Sequence, residues 1–259
     1  MRVIVTRPEA DAAVWVASLQ AAGHEAVSLP LIDIAPPADA STVQRAWQRW
    51  TDWQAVMFVS AQAVRLFFQQ RPSDVPLLPA PRCWATGPGT CQALMQAGMP
   101  ADRIDSPPDD APQFDSEALW QRVGPSVSAS AAVLIVRGVD ATHGASPDGN
   151  GRDWLARQLQ GRDVPVVWLV AYERRAPCWS AAQRAQAHAA SHDGSVWFIS
   201  SSQGLSHLRG CLPDQSWQQA RCIATHPRIA ETARALGFAD VRIARPVLAD
   251  VLRSLESWT

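Results

Sequence analysis

Short, wholly apolar runs alternate along the chain with stretches in which apolar residues recur at helical spacing. Strands that are apolar throughout are typical of parallel sheets covered by helices on both faces. The alternation of such strands with helices predicts βαβ units, and therefore an α/β fold with parallel sheets. The predicted strands are residues 3–5, 26–29, 55–59, 82–86, 133–136, 166–170, 196–199, 221–225 and 241–244.

Glycine positions mark the ends of the clearest predicted helices. Residues 9–22 place Val14, Leu19 and Ala22 on the predicted inner face, and Gly23 follows directly. Glycine is the preferred residue just past a helix, because it adopts the left-handed conformation without strain. The same arrangement ends two further predicted helices, at Gly161 and Gly237.

The two halves of the chain repeat one another. VMFVS at 56–60 returns as VWFIS at 196–200, and RCWATGP at 82–88 returns as RCIATHP at 221–227. A weaker match relates VTR at 5–7 to IVR at 135–137. These ordered matches predict a duplicated α/β unit, which by itself indicates two sequential domains. Together with the polar turns described below, the duplication predicts a small anion bound in the cleft between two lobes.

Composition excludes several classes of function. Of the 259 residues, 47% are apolar and 18% charged, as in an ordinary globular protein, and the net charge of −1 gives no basis for nucleic-acid binding. All 23 basic residues are arginines, which excludes lysine Schiff-base chemistry. Arginine suits bidentate binding of carboxylate or phosphate, although codon bias also explains the excess.

Cysteine usage and hydropathy predict a cytoplasmic protein without a membrane segment. No apolar run approaches the roughly 18 residues that span a bilayer, and MRVIVTRPEAD lacks the apolar core of a signal peptide. Five cysteines without paired spacing fit reduced thiols. Cys83 and Cys222 stand in strand-like runs and are expected to pack in the core.

Polar turns after predicted strands are the candidate anion sites. Thr6 and Arg7 follow the first strand and precede a helix, whose N-terminus attracts anions, and Arg137 stands at the matching place in the other half. The alternative is simple helix capping by Thr6. Gly87 and Thr90 belong to a GPGT turn that could form an anion nest or only a tight turn.

Serines and one charged turn complete these candidates. Ser60 and the pair Ser200 and Ser201 end repeat-related strands, where ligands of α/β sheets bind, and they also suit N-capping. Arg228 follows His226 in the turn that matches the GPGT turn. Irregular segments at 105–115 and 140–150 are expected to be loops.

Tyr172 is the only tyrosine and the main candidate for proton transfer. It follows the predicted strand 166–170 in an extended connector, where a phenol could donate a proton or simply pack at a domain edge. His188 and His192 have the spacing of a metal pair but no third ligand nearby, which favours a solvated helix face. The sequence therefore predicts no metal site and no nucleophile.

Short motifs occur in order along nearly the whole chain: TRP, FVS, ATGPGT, SEALW, VLIVRG, GRDWLARQL, AYER, FISSS and THPRIAETARALGF. This ordered set resembles the uroporphyrinogen-III synthase family. The resemblance implies two α/β lobes joined by hinge strands near 30–37 and 171–177. One lobe would be 1–35 with 174–259 and the other 38–171, so each half exchanges its first strand–helix–strand step.

The resemblance further implies a cofactor-independent cyclising lyase of heme biosynthesis. Such an enzyme converts hydroxymethylbilane, a linear tetrapyrrole, to uroporphyrinogen III with loss of water and inversion of the terminal ring. Tyr172 matches the family's cleft tyrosine, and hydroxymethylbilane synthase is the candidate for transient contact. A non-enzymatic bilobal module for small anions is the alternative. The implied substrate-binding residues are Thr6, Arg7, Ser60, Gly87, Thr90, Ser116, Arg137, Ser200, Ser201 and Arg228.

Overall fold

The computed structural model describes residues 1–108, 115–141 and 152–258. The irregular segments predicted at 105–115 and 140–150 lie largely outside the described residues. The chain divides into two compact units. The first unit combines Met1–Ile34 with Arg175–Thr259, and the second is the continuous segment Ala35–Arg174.

The described residues form eleven strands and ten α-helices. The strands are β1 (Arg2–Val5), β2 (Glu25–Ser28), β3 (Asp33–Ala35), β4 (Ala55–Phe58), β5 (Arg82–Ala85), β6 (Ile104–Asp105), β7 (Val133–Asp140), β8 (Val166–Arg175), β9 (Val196–Ile199), β10 (Arg221–Ala224) and β11 (Asp240–Ile243). The helices are α1 (Glu9–Ala21), α2 (Ser41–Gln48), α3 (Ala61–Gln69), α4 (Pro88–Gln96), α5 (Ser116–Val123), α6 (Arg152–Gln160), α7 (Ala181–Ala190), α8 (Ser202–Cys211), α9 (Pro227–Leu236) and α10 (Leu248–Glu256).

Two sheets with the same internal order organise these elements. One has the order β11-β10-β9-β1-β2, and the other has the order β6-β5-β4-β7-β8 with β3 added at its edge. All four pairings of the first sheet are parallel, and so are β4–β5, β4–β7, β5–β6 and β7–β8 in the second. The predicted α/β class with parallel sheets is confirmed.

Each sheet combines strands from both sequence repeats. β1 from the start of the chain pairs with β9, where Val3 lies opposite Val196. β7 from the second half pairs with β4, where Ala55 lies opposite Val133. The duplication therefore includes a segment exchange, and the expectation of two sequential domains from the repeat alone is wrong.

The first sheet is covered on both faces, as its apolar strands predict. On one face Ile4, Trp197 and Ile199 pack with residues of α8 and α9. On the other, Val3, Val5 and Phe198 pack with residues of α1 and α10. Alternate residues of one strand thus enter opposite layers, which is why β1 and β9 contain no polar residue at a central position.

An aromatic cluster fills one face of the second sheet. Trp47 of α2 stacks on Phe67 of α3 with ring centroids 4.5 Å apart. Trp50 packs against Trp47, and Phe58 of β4 packs against Phe67. Trp47 also donates a hydrogen bond from Nε1 to the carbonyl of Phe67 at 3.0 Å. The indole N–H is therefore satisfied within the core, as burial requires.

The predicted helix ends at Gly23 and Gly237 agree with the structure, whereas two residues predicted for the inner face of α1, Val14 and Ala22, are exposed. Gly161 directly follows α6, as predicted, but it is not in the left-handed region. Gly23 and Gly237 follow α1 and α9 with φ of 86° and 108°, in the left-handed region that favours glycine. Val14 lies on the solvent side of α1 with 67% of its surface exposed, so its assignment to the inner face is wrong. Ala12 and Leu19 are the buried residues of that helix.

The strands β7 and β8 extend beyond their apolar runs. β7 continues through Arg137 to Asp140, and β8 continues through Tyr172 to Arg175. Arg137 and Tyr172 are therefore strand residues, and the predicted places after a strand and in a connector are wrong. Backbone pairing with the neighbouring strand holds these polar residues in extended conformation.

Among the described residues, no helix is both long enough and apolar enough to cross a bilayer.

Candidate active site

The candidate residues lie at the carboxyl ends of the strands in each sheet, where α/β proteins bind ligands. In the first unit they follow β1, β9 and β10, and in the second they follow β4 and β5, open α5 or lie late in β7 and β8. The first group is Thr6, Arg7, Ser200, Ser201 and Arg228. The second group is Ser60, Gly87, Thr90, Ser116, Arg137 and Tyr172.

Arg7 is held by aromatic rings after β1. Its guanidinium carbon lies 5.3 Å from the centroid of the Trp15 ring and 5.7 Å from that of Phe198, within the range of cation–π attraction. Burial lowers the pKa of the Arg7 guanidinium, and the charge of Asp11 opposes that shift. Its Nε–H is buried and has no hydrogen-bond partner among the described residues. A ligand oxygen would satisfy this donor.

Arg137 repeats this arrangement in the second unit. Its guanidinium carbon lies 4.4 Å from the centroid of the Trp168 ring, and its buried Nε–H likewise has no partner within the described part of the chain. β1 and β7 occupy the same position in their sheets. The duplicated fold thus presents one stacked arginine at the centre of each sheet edge.

Thr6 is buried, and its side chain bonds to a neighbouring strand of the sheet and does not cap α1. Its Oγ1 donates to the carbonyl of Phe198 at 2.8 Å, and Pro8 is the N-cap residue of α1. Capping by Thr6 is therefore wrong. Since its hydroxyl proton is already donated, Thr6 can offer a ligand only a lone pair of its oxygen.

Ser60 and Ser201 are N-caps of repeat-related helices. The Oγ of Ser60 accepts from the N–H of Ala63 at 3.1 Å, and that of Ser201 accepts from the N–H of Gly204 at 3.3 Å. These bonds satisfy one backbone donor of each helix and leave others free for an anion. Ser200 lies half-buried between β9 and its capping neighbour.

The GPGT turn is a helix N-terminus and not a nest. Gly87 is the N-cap of α4 with extended backbone, and Gly89 is not in the left-handed region that a nest requires. Thr90 is buried in the first turn of the same helix. Ser116 is buried at the first position of α5, where Asp115 is the N-cap.

Arg228 differs from the other arginines because its side chain is exposed. It lies in the first turn of α9, and its backbone N–H donates to Nδ1 of the N-cap residue His226 at 3.2 Å. This turn occupies the place of the GPGT turn in the other sheet. An exposed guanidinium there can reach a flexible anion without loss of packing.

Tyr172 lies inside the second unit with only 5% of its surface exposed. Its hydroxyl is 3.4 Å from the Oγ of Ser60, a long contact by hydrogen-bond standards. The two residues are 112 positions apart in the chain, and each comes from the carboxyl-end region of its strand. The structure therefore brings the phenol to a helix N-terminus that can accept an anion.

Two further residues have unsatisfied polar atoms, and of these Arg174 was not predicted. The Oγ of Ser202 and the Nε of Arg174 are buried and have no hydrogen-bond partner among the described residues. Ser202 completes the run of three serines whose position after a strand predicted a ligand-binding turn. Arg174 stands on the late part of β8, which the apolar pattern did not include.

Other titratable groups give no competing site. No cluster of three or more histidine, cysteine or acidic residues able to hold a metal occurs in the described ranges. His188 and His192 are both exposed on or beside α7. All five cysteines are free, and burial raises the pKa of the Cys83 and Cys222 thiols to about 12. These two thiols are core residues, as predicted.

Two parallel sheets with the same order of five strands define a duplicated α/β protein, and arginines beside aromatic rings and helix N-termini at their carboxyl ends are candidate anion sites. The chain belongs to the uroporphyrinogen-III synthase HemD family, whose family model matches residues 13–251.

Curated relatives and solved structures carry the same name. A uroporphyrinogen-III synthase of Synechococcus elongatus is 29% identical over 68% of this chain and 61% of its own length, so the chain spans less than two thirds of that relative. One of Salmonella typhimurium is 27% identical over 94% of this chain and 95% of its own length.

The structural likeness concerns the fold. The uroporphyrinogen-III synthetase of Helicobacter pylori has a TM-score of 0.61 with 16% identity over the whole of both chains. A mutant uroporphyrinogen III synthase of Thermus thermophilus has a TM-score of 0.53 with 13% identity, covering 99% of this chain and 98% of its own.

Proposed function

We propose that this protein cyclises hydroxymethylbilane to uroporphyrinogen III, with loss of water and inversion of the terminal pyrrole ring. The family match over residues 13–251 supports the reaction class. The observation that carries the proposal is the buried Tyr172 phenol, 3.4 Å from Ser60 at the N-terminus of α3. None of the relatives and structures compared supports a non-enzymatic anion-binding module.

Tyr172 is the proposed proton donor to the leaving hydroxyl. As the carbon–oxygen bond of the hydroxymethyl group breaks, negative charge develops on oxygen, and a phenol proton converts the leaving group to water. Ser60, the N-cap of α3, lies 3.4 Å from the phenol oxygen, so its hydroxyl and the positive end of the helix dipole stabilise the phenolate charge. Ring closure releases a proton that restores the phenol.

Substrate carboxylates are assigned to the arginines and helix N-termini. The guanidinium groups of Arg7 and Arg137 each lie over an aromatic ring and carry a buried donor without a partner in the described residues, which suits them to bind a carboxylate. Catalysis then rests on positioning a flexible chain and on electrostatics. The remaining binding assignments are Thr6, Ser60, Gly87, Thr90, Ser116, Ser200, Ser201 and Arg228.

We propose a cytoplasmic site of action, since five free cysteines suit a reducing compartment. We also propose transient contact with hydroxymethylbilane synthase. The linear substrate closes spontaneously to the type I isomer in water, so a short path between the two enzymes limits that loss.

The decisive experiment supplies hydroxymethylbilane to the purified protein without added metal and separates the macrocyclic isomers. We expect the type III isomer as the main product, because only a catalysed closure inverts the terminal ring. A product that contains only the spontaneous type I isomer would rule out the proposed activity.

A further inference from the structure

A register shift between β7 and β8 determines where the Tyr172 ring lies. Arg137 lies opposite Val170, but the next residue, Gly138, lies opposite Tyr172. Without the shift, Gly138 would face Ala171 and Val139 would face the tyrosine. The extra residue is Ala171, and a bulge of this kind re-aims the side chain that follows it.

The shift brings the phenol ring onto the backbone of β7. A Cβ atom built on Gly138 would lie 2.2 Å from Cζ, 2.3 Å from Cε2 and 2.8 Å from Cε1 of Tyr172. Real Cβ atoms do not approach carbon atoms this closely, so any other residue at Gly138 must displace the ring. The ring carbon in closest approach is the one that bears the hydroxyl.

The backbone itself does not require glycine at this position. Gly138 lies in a strand and is outside the left-handed region, unlike Gly23 and Gly237. An alanine could adopt this conformation without strain. The need for glycine therefore comes from the tyrosine ring alone.

We propose that Gly138, together with the bulge at Ala171, is a positioning residue that sets the Tyr172 hydroxyl beside Ser60. The inference rests on the proposed function, because it deepens the role of Tyr172 in that reaction. Glycine lets the hydroxyl end of the ring approach the backbone of β7, in the position where the phenol oxygen lies 3.4 Å from the Ser60 hydroxyl. A bulkier residue moves the proton donor away from the leaving group.

The first test observes the ring directly in the full chain. Tyr172 is the only tyrosine, so protein grown with ring-labelled ¹³C-tyrosine gives one set of tyrosine signals. We expect Gly138→Ala to shift these signals. Gly210→Ala is the matched control, since Gly210 is exposed near the end of α8 with nothing within 4 Å of an added Cβ, and it should leave them unchanged. Unshifted signals in Gly138→Ala would overturn the proposal.

The second test measures type III formation in a double-mutant cycle. We expect Gly138→Ala to lower kcat at least about tenfold, as loss of a proton donor does, with KM changed less than about twofold. Combined with Tyr172→Phe, it should lower kcat no further than Tyr172→Phe alone. Effects that multiply in the double variant would show that Gly138 acts independently of the phenol and contradict the proposal.

A variant that lacks the tyrosine ring is the control for a folding defect of Gly138→Ala. If Gly138→Ala is unstable or unfolded, the double variant with Tyr172→Ala should fold with the melting temperature of Tyr172→Ala alone, because the clash has gone. A double variant that stays unfolded would contradict the proposal. If the wild-type protein forms no type III product but Gly138→Ala still shifts the tyrosine signals, the proposed reaction is refuted. The role of Gly138 in placing the ring would then stand.

Discussion

The two sheets share an order of strands, but they differ in the length and pairing of two corresponding pairs of strands, β1 with β2 and β7 with β8. In the first, β1 and β2 are short, and β2 ends at Ser28. In the second, the corresponding β7 and β8 continue for several residues, carry a register shift and place Tyr172 near Ser60. Both sheets present a stacked arginine and capped helix N-termini.

This difference separates binding from chemistry. The groups proposed to bind carboxylates occur in both copies, because they follow from the strand-to-helix turns that the duplication repeated. The phenol occurs once, because it depends on an extension of β8 and on Gly138, which the first sheet lacks. In the proposed reaction, binding a polyanionic substrate would draw on the repeated turns, whereas cleavage of one bond would need one proton donor.

The largest expected effect comes from removing that donor. Tyr172→Phe should lower kcat for type III formation by about 10- to 100-fold, since a positioned acid contributes on this scale or more. The melting temperature should change little, because the ring and its packing on Gly138 remain. Steady-state kinetics with separation of isomers measures both the rate and the rising share of type I product. An unchanged kcat would remove Tyr172 from the mechanism.

An intermediate effect should distinguish the two capping serines. Ser60→Ala and Ser201→Ala should each cost about 1 kcal/mol of stability, the usual cost of losing an N-cap. Of these two serines it is Ser60 that contacts the phenol, so Ser60→Ala should act mainly on kcat and Ser201→Ala mainly on KM. Urea unfolding and kinetics together separate these effects.

The control for both variants is Ser180→Ala. Ser180 caps α7 through a capping box with Gln183 and has no assigned role in the reaction. Its loss should lower stability by a similar amount and leave kcat and KM unchanged. Equal effects of the Ser60 and Ser201 variants on kcat and KM would contradict the proposal that the phenol acts in one sheet and that the other sheet only binds substrate.

The smallest expected difference concerns a pair of matched core thiols. Burial raises the pKa of Cys83 and Cys222 from the ordinary 9.0 to about 12. In the unfolded chain these thiols ionise near pH 9, so their contribution to stability is full below that pH and is lost as pH rises toward 12. Both should resist alkylation in the folded protein at neutral pH, while the exposed Cys178 reacts.

Mass spectrometry after brief treatment with iodoacetamide, with and without urea, checks this prediction. A Cys178→Ser variant identifies the background from the less exposed thiols. Rapid labelling of Cys222 but not Cys83 in the folded state would show that the two sheets differ in local opening.

The sequence predicts the parts of the fold that depend on local patterns. β4 and β9 are buried at every position, and their apolar runs and repeated letters identify them without a structure. The apolar pattern failed where backbone pairing carries a strand through polar residues, as in the late part of β7 and β8. It also placed Val14 in the core, because small apolar residues cover all sides of α1.

The turns that carry the candidate residues could be predicted from the sequence, but the contacts between those residues could not. Ser60 and Tyr172 were each singled out, yet a contact over 112 positions depends on the pairing of β4 with β7 and of β7 with β8. The role of Gly138 depends on a shift of one residue in that pairing. No local spacing encodes such a shift, because it arises only when two distant strands align.

The segment exchange has a consequence for synthesis on the ribosome. Residues 35–174 form one continuous unit that can fold as soon as it emerges, whereas β1 and β2 must wait for β9, β10 and β11. At roughly 5–20 residues per second, that wait lasts on the order of ten seconds or more. Val3, Ile4 and Val5 are fully buried in the finished sheet. Until β9 has been synthesised, the nascent chain therefore exposes the apolar side chains of β1. The first unit is therefore the last part of the molecule that can complete its sheet.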